Sequence, residues 1–144
     1  MLYTFGYGNW GVLGHGNERD IKFDKPKMVT KFETLGLKVI DVALGDYHTV
    51  ALTEDGNVWT WGYAGKKGMF NWMYSQDVGA LGHGDLESHF VPQKVTYFEE
   101  NGIKIKKVNA ELKKYFKNEY FVKIVEQDTF ISTNDVINTN ICII

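Results

Sequence analysis

Residues 58–62, Val58-Trp59-Thr60-Trp61-Gly62, decide the fold because they repeat residues 2–6, Leu2-Tyr3-Thr4-Phe5-Gly6. Self-similarity at this spacing is the signature of a repeat protein, in which each unit buries its apolar face by stacking on a neighbour. The sequence therefore favours a surface built from repeated units over a single catalytic pocket. Two further stretches recur in the same order: Gly11-Val12-Leu13-Gly14-His15-Gly16 as Gly79-Ala80-Leu81-Gly82-His83-Gly84, and residues 26–33 as residues 92–99.

The unit reads as four short strands. Residues 39–44 and 48–53 are rich in β-branched side chains, and residues 58–61 form the returning strand after Asp55-Gly56. Asp-Gly is favoured in two-residue hairpin turns, where both central positions need positive φ. Residues 92–98 are predicted to be the fourth strand, with Pro92 at its start, where a missing N–H is tolerated. Four antiparallel strands in about sixty residues are typical of a propeller blade.

Glycines follow the strands at repeated positions. Glycine permits positive φ and close approach of the backbone, so we interpret these residues as rigid turns. The predicted structural turns are Gly6, Gly11, Gly14, Gly16, Gly45, Gly56, Gly62, Gly79, Gly82 and Gly84.

Residues 45–62, followed by residues 79–84, resemble the regulator of chromosome condensation repeat, because the glycine, histidine, aromatic and Leu-Gly positions fall in one fixed order. The resemblance covers residues 1 to about 110. It implies a seven-bladed β-propeller. It also implies roles in nucleotide exchange on a small GTPase such as Ran, in docking within ubiquitin-ligase or signalling proteins, and in chromatin association.

The chain is too short for such a ring, so we expect an all-β, partial β-propeller over residues 1–134. Residues 36–98 would form one complete four-stranded antiparallel blade. Residues 1–35 would be part of a preceding blade, and residues 102–134 a degenerate part of a following one. Because about three repeats are usually needed for stability, we interpret the chain as a fragment of a longer propeller, a truncated gene product, or a piece that associates with more blades. Residues 135–144 match nothing in the repeat, and one hypothesis is that this tail is translated non-coding sequence.

The copy after residue 101 is worn. Residues 102–108 follow residues 36–42, and residues 120–128 resemble residues 48–56, which places Tyr120 opposite His48 in the comparison. The Asp-Gly turn and the Trp-Thr-Trp-Gly ending are absent from this copy.

An insertion over residues 64–78 separates the strand from the Leu-Gly-His-Gly motif in the second copy. Tryptophan, tyrosine and methionine are enriched in the cores of protein interfaces. We interpret the insertion as a partner-binding segment; the alternative is that its side chains fold back on the blade. Its candidate contact residues are Met69, Phe70, Trp72, Met73 and Tyr74.

No pattern of catalytic residues is visible. Residues 6–11, Gly6-Tyr7-Gly8-Asn9-Trp10-Gly11, match a dinucleotide-binding motif and follow a strand, but Gly14 and Gly16 disfavour the helix that must begin there. A structural turn is the better interpretation. We expect no enzyme, no metal and no cofactor. The histidines lack zinc-ligand spacing; three are repeat positions suited to turn or core hydrogen bonds, and the fourth is predicted to lie in a loop: His15, His48, His83 and His89.

Composition narrows the class of partner. The net charge of −2 argues against direct contact with nucleic acid, although six lysines cluster between Lys104 and Lys117. Solvation or protection of an edge strand explains such a run more simply. Cys142 is the single cysteine, which suits a reducing compartment, cytoplasmic or nuclear. No apolar stretch is long enough to span a bilayer, so we expect no membrane association.

These features together predict a protein-interaction module. One alternative is a guanine-nucleotide exchange factor for a small Ran-like GTPase; another is a structural subunit of a larger assembly. Exchange requires a broad surface that prefers the nucleotide-free GTPase, and one full blade does not supply such a surface. The expected partner is a protein, such as a small GTPase or a component of the ubiquitin pathway.

Overall fold

A computed structural model of the chain describes residues 1–16, 21–45, 47–65, 79–111, 121–126 and 129–130, the last two ranges and residues 109–111 as backbone. Within these ranges, nine strands and two five-residue helices are present. The strands are β1 Tyr3–Tyr7, β2 Lys22–Met28, β3 Val39–Leu44, β4 His48–Thr53, β5 Val58–Gly62, β6 His89–Lys94, β7 Ile105–Glu111, β8 Phe121–Glu126 and β9 Thr129–Phe130, and the helices are α1 Thr30–Thr34 and α2 Thr96–Glu100. Neither helix is long and apolar enough to cross a membrane.

The strands form three antiparallel sheets. The central sheet has the order β3-β4-β5-β6, and it is flanked by β1-β2 on one side of the sequence and by β7-β8-β9 on the other. Every residue of β4 and β5 is buried, which is expected of central strands that are covered on both faces. The all-β class and the partial propeller are therefore confirmed.

The predicted fourth strand has the wrong bounds. It begins at His89, and residues 96–100 form α2 instead of extending the strand. The backbone leaves the sheet at Val95, whose N–H donates to the carbonyl of Val58 at 2.9 Å. Pro92 lies inside β6, where it is tolerated because β6 is an edge strand of its sheet.

The hairpin between β4 and β5 is wider than the predicted two-residue turn. Four residues join Thr53 to Val58. A two-residue turn would need positive φ at Asp55, but Trp10 is the non-glycine residue with positive φ in the described part of the chain. Asp55 therefore does not adopt the conformation of that turn. Asp55 instead accepts hydrogen bonds from the Thr53 hydroxyl (2.6 Å) and the Asn57 amide side chain (2.8 Å). Burial opposes ionisation of Asp55, but these hydrogen bonds, with Lys104 nearby, outweigh it and hold its pKa below the usual range.

The first two-stranded sheet reproduces half of the central sheet. Tyr3 pairs with Met28 and Thr4 with Lys27, as Trp59 pairs with Lys94 and Thr60 with Gln93. A break in register follows at the same place in both pairs, between Thr4 and Gly6 and between Thr60 and Gly62. The β1-β2 pair is thus the equivalent of β5-β6.

The β7-β8 pair reproduces the other half. Val39 pairs with Thr53 and Ile105 with Glu126, and both pairs of strands shift register directly afterwards. Leu44 pairs with Thr49, and its counterpart Ala110 pairs with Val122. By this register Phe121 takes the place of His48, so the sequence comparison that put Tyr120 there is wrong by one residue. The sequence comparison already made the connection before β8 six residues longer than the Gly45 turn, and the register of β7-β8 makes it seven residues longer.

Two apolar clusters hold the sheets together. The first lies between β1-β2 and the central sheet, where the ring of Phe32 meets Trp59 edge-on at 5.5 Å and Trp61 at 6.1 Å between centroids. Trp61 is fully buried. The second cluster joins the central sheet, α2 and β7: Ala43, Val50, Leu52, Val58, Val95, Phe98, Ile105 and Val108.

The first glycine loop, residues 8–16, is fastened to the central sheet. The carbonyl of Val12 accepts hydrogen bonds from the Thr49 hydroxyl and from the Trp61 indole N–H, both at 2.8 Å. Gly16 N–H donates to the carbonyl of Phe90 at 2.8 Å. The loop therefore lies across two sheets and fixes their relative position.

A threonine and a histidine hold each copy of the loop. The Thr60 hydroxyl donates to the carbonyl of Leu81 at 2.6 Å and lies 2.9 Å from Nε2 of His83. Because the hydroxyl has one proton, Nε2 of His83 must be the donor in the second contact. The first copy has the same contacts: Thr4 with Leu13 (2.8 Å) and with His15 (2.8 Å).

His89 belongs to this arrangement and was misplaced by the sequence analysis. It is the first residue of β6, not a loop residue, and its ring meets that of His83 edge-on at 4.7 Å. Phe23, its counterpart in β2, packs on His15 in the same way at 5.0 Å. Burial, with the neighbouring His89, lowers the pKa of His83, and burial with Lys27 nearby lowers that of His15.

The first prediction concerns pH. A histidine whose pKa is lowered in the folded state binds its proton more readily when unfolded, so the fold loses stability as pH falls below 6.5. His83→Gln keeps an N–H donor for Thr60 but does not titrate. Urea unfolding between pH 7.5 and 5.5 should therefore show a smaller loss of stability for His83→Gln than for the parent. Equal losses in the two proteins would contradict the burial of a neutral His83.

The second prediction concerns Gly14, which has φ +77° and whose added Cβ would lie 3.0 Å from Nε1 of Trp61. Gly36 has φ +64° and nothing within 4 Å of an added Cβ, so it is a matched control for backbone strain alone. We expect Gly36→Ala to cost about 1–2 kcal/mol. Gly14→Ala should cost more, because it also disturbs the contact of the loop with Trp61. Chemical denaturation measures both; equal costs would show that the loop does not depend on this contact.

Candidate functional site

One end of the sheets carries the insertion and the glycine loops. The connections β1–β2, β3–β4 and β5–β6 all lie at this end, since the strands are antiparallel and pair in order. The opposite end carries the Asp55 turn, α1 and α2. We call the first end the loop end; its described residues are 8–16, 45, 47, 63–65 and 79–88.

The predicted contact residues of the insertion lie outside the described residues. They are Met69, Phe70, Trp72, Met73 and Tyr74.

The base of the insertion is described on both sides. Ala80 N–H donates to the carbonyl of Ala64 at 3.0 Å, and Ala64 N–H donates to the hydroxyl of Ser88 at 3.2 Å. Ala64 is buried. The insertion therefore leaves and re-enters the fold through a closed, hydrogen-bonded base.

Tyr63, which precedes Ala64, contacts two other aromatic rings. The rings of Trp10 and Tyr63 lie 5.3 Å apart between centroids, and Tyr47 meets Tyr63 edge-on at 6.5 Å. Tyr63 is buried, whereas Trp10 and Tyr47 are partly exposed. Aromatic pairs at these distances attract beyond the burial of their area. We call Trp10, Tyr47 and Tyr63 the aromatic base.

Trp10 has an unusual backbone conformation, with φ +62° and ψ +21°. A left-handed conformation is costly for a bulky residue, and such strain persists only where the surroundings enforce it. Trp10 belongs to a three-residue 3₁₀ turn, Asn9–Gly11, which is too short to be a dinucleotide-binding helix. The dinucleotide-like motif is therefore a turn that presents an aromatic side chain.

The sequence analysis did not identify the aromatic base. One signal was available: Trp10 stands one residue before Gly11, and Val78 stands one residue before Gly79 in the other copy. An aromatic residue in one copy of a loop, at a position where the other copy has valine, indicates a role that is specific to that copy. Tyr47 and Tyr63 flank the strands, where aromatic residues are common, so their sequence context carries no comparable signal.

The glycines that were predicted to form turns lie in tight backbone conformations or close contacts. Of the predicted turn glycines, all except Gly45 have positive φ, and Gly45 instead faces the ring of His48, where an added Cβ would lie 2.7 Å from Nδ1. Within the described ranges, no three histidine, cysteine, aspartate or glutamate residues are placed to hold a metal ion.

Part of the chain also matches known repeat sequences. Residues 1–52 match the profile of the regulator of chromosome condensation (RCC1) repeat, and residues 39–67 match a second profile of the same repeat. The ultraviolet-B receptor UVR8 of Arabidopsis thaliana is 37% identical over 76% of this chain and 21% of its own length. The human E3 ubiquitin-protein ligase HERC2 is 39% identical over 69% of this chain and 2% of its own length.

A solved structure also resembles the chain. Prp20p of Saccharomyces cerevisiae, described with its binding properties to Gsp1p and histones, superposes with a TM-score of 0.53 and 27% identity over 74% of this chain and 23% of that one. The chain thus spans about a fifth or less of the length of these relatives. It is a segment built of regulator of chromosome condensation repeats.

Proposed function

We propose that this segment is a protein-interaction module whose loop end binds the partner, with the insertion supplying the contact residues. The observation that carries the proposal is the aromatic base: Trp10 is held in a strained conformation against Tyr63 where the insertion leaves the fold. A rigid base lowers the entropic cost of ordering a segment that it supports. The expected compartment is inside the cell, as the single cysteine suggests.

The chemistry of the insertion supports the same surface. Residues 69–74 contain two methionines and three aromatic residues, the types that dominate hot spots or adapt to a partner's surface. The relatives support a protein ligand: Prp20p is described with its binding properties to Gsp1p and histones, and HERC2 is an E3 ubiquitin-protein ligase. We therefore propose a protein ligand of the small-GTPase, histone or ubiquitin-pathway type.

The third prediction tests the insertion. Deletion of residues 66–75 should leave the blade folded, because Ala64 and Ala80 are already hydrogen-bonded and Gln76-Asp77-Val78 remain to close the gap. Binding to Gsp1p or core histones, measured by calorimetry, should weaken at least about tenfold. A tenfold change corresponds to about 1.4 kcal/mol, which is less than the loss of one good hot-spot residue typically costs. Tyr97→Ala is the matched control, since Tyr97 is an exposed aromatic residue at the opposite end of the blade. Unchanged affinity of the deletion variant would contradict the proposal.

Guanine-nucleotide exchange is the second candidate, because the repeat family implies that role and Prp20p is described with its binding properties to Gsp1p. Exchange requires preferential binding to the nucleotide-free GTPase across a broad face. In the described part of the chain, the complete four-stranded sheet β3-β4-β5-β6 is flanked by shorter sheets, so we favour binding without exchange.

The fourth prediction separates these candidates. Release of a fluorescent guanine nucleotide from a Ran-type GTPase should not accelerate when the chain is added in excess. Full-length Prp20p is the comparison protein in the same assay. Accelerated release would make exchange the function, and loss of that acceleration on deletion of residues 66–75 would assign it to the loop end.

A further inference from the structure

The two copies of the glycine loop differ in the ring that packs on their histidine. In the first copy Phe23 meets His15 edge-on, and in the second His89 meets His83 edge-on. The sheet register makes Phe23 and His89 equivalent, because each pairs with the glycine that lies two residues after the threonine of its copy. The second copy therefore brings two titratable rings into contact where the first copy has one.

The hydrogen bonds of His83 suit its neutral form. Nε2 of His83 donates to the hydroxyl of Thr60, which itself donates to the carbonyl of Leu81. Nδ1 of the neutral ring then carries no proton. A second proton would need a new acceptor and would place a positive charge beside the ring of His89, 4.7 Å away between centroids. Burial and His89 lower the pKa of His83 for these reasons, although Asp85 acts in the opposite direction.

His89 lies between His83 and a carboxylate. Its Nε2 is buried, and it has no hydrogen-bond partner among the described residues. Oδ1 of Asp85 lies 3.9 Å from this nitrogen, which is beyond hydrogen-bond distance. A charged imidazole carries a proton on both nitrogens, so Nε2 of a charged His89 would be a cationic donor that attracts the Asp85 carboxylate.

The same oxygen of Asp85 holds the turn that leads to the base of the insertion. Oδ1 accepts a hydrogen bond from the Glu87 N–H at 3.0 Å. The next residue, Ser88, accepts a hydrogen bond from the Ala64 N–H at 3.2 Å, which closes the base. A movement of Asp85 towards His89 would therefore weaken the turn and displace Ser88 from Ala64.

The described elements around the two rings offer no competing charge. β5 has no titratable side chain, and neither has the Asn9–Gly11 turn, which packs on β5 and β6. In β6, Lys94 lies at the opposite end of the strand and forms an ion pair with a glutamate of α2. In β4, His48 is separated from His89 by β5. The carboxylate that acts on both rings is that of Asp85.

We propose that His83, His89 and Asp85 form a pH switch that opens the base of the insertion in mild acid. With both rings neutral, the base is closed. Histidine side chains take up protons in mildly acidic solution, and two charged rings in contact repel each other. Asp85 then turns to His89, and the hydrogen bond between Ser88 and Ala64 breaks.

The first copy has no such switch, because Phe23 stands where the second copy has His89. The effect of the switch on partner binding rests on the proposed function, since it acts on the base of the segment that would bind. Opening of the base is measured without a partner, so its outcome is separate from that of the deletion test.

The fifth prediction concerns the Ala64 amide hydrogen. Its native-state exchange in the 144-residue chain, followed by NMR and corrected for the intrinsic pH dependence of exchange, reports how often the base opens. A histidine that is charged in the open state and neutral in the closed state makes opening about tenfold more frequent for each pH unit below about 6.5. We expect opening at Ala64 to increase at least about threefold from pH 7.5 to 5.5, and by more than opening at the β4 amides, which reports global unfolding. An increase no larger than that of β4 would overturn the proposal.

Two variants test the assignment to the second copy. His89→Phe recreates the ring pair of the first copy and should lose at least half of the increase at Ala64. His15→Gln changes the equivalent histidine of the first copy and is the matched control, with the increase unchanged. An increase that persists in His89→Phe, or one that is lost in His15→Gln, would contradict the switch.

A second measurement uses the parent chain and does not depend on the folding of His89→Phe. The ring Cε1–H signals of His83 and His89 should change over the same pH range in which exchange at Ala64 increases. Opening of the base in a pH range where neither ring titrates would overturn the proposal.

Discussion

The packing of Phe32 between Trp59 and Trp61 is the contact on which the structure depends. It joins an element of one repeat, α1, to the buried face of the next, and Trp61 has no exposed surface. Replacing a buried tryptophan by alanine typically costs about 3–5 kcal/mol, a large share of the stability of a domain of this size. Within the described ranges, each of the two apolar clusters takes residues from more than one repeat, so each blade depends on a neighbour to cover its faces.

The polar contacts decide how the sheets are aligned once they are packed. The carbonyl of Val12 accepts two hydrogen bonds from the central sheet, one of them from the indole of Trp61. The side chain that fills the core thus also fixes the loop, and the loop carries Trp10. The strained turn at Trp10 is therefore supported through Val12 by the same tryptophan that packs on Phe32. This continuity fastens residues 8–16 to the central sheet, and a surface that is already ordered loses less entropy when it binds a ligand.

The residues that recur in both copies predicted the fold, whereas the residues that do not recur did not predict the aromatic base. The copies of Trp-Thr-Trp-Gly and Leu-Gly-His-Gly were sufficient to predict the blade, because a repeat that must stack restricts the architecture to a few choices. The sequence did not show where β6 ends and α2 begins, because Val-Thr-Tyr-Phe suits a strand as well as a helix. In the structure, the backbone leaves the sheet at Val95, whose N–H donates to the carbonyl of Val58. The ring contact of His83 with His89 was also missed, because residues six apart along a loop and a strand meet only when the glycine turns are formed. The insertion was recognised by its length, but its predicted contact residues lie outside the described residues.

The β1 strand keeps the side-chain pattern of its counterpart β5. Leu2 packs against the core, whereas Tyr3 and Phe5 lie on the opposite face and are exposed. Trp59 and Trp61 stand at the equivalent positions of β5, where Phe32 of the neighbouring repeat packs on them. Because each repeat buries its apolar face against a neighbour, the aromatic residues at both copies of this position follow from the stacking of repeats and not from the loop end.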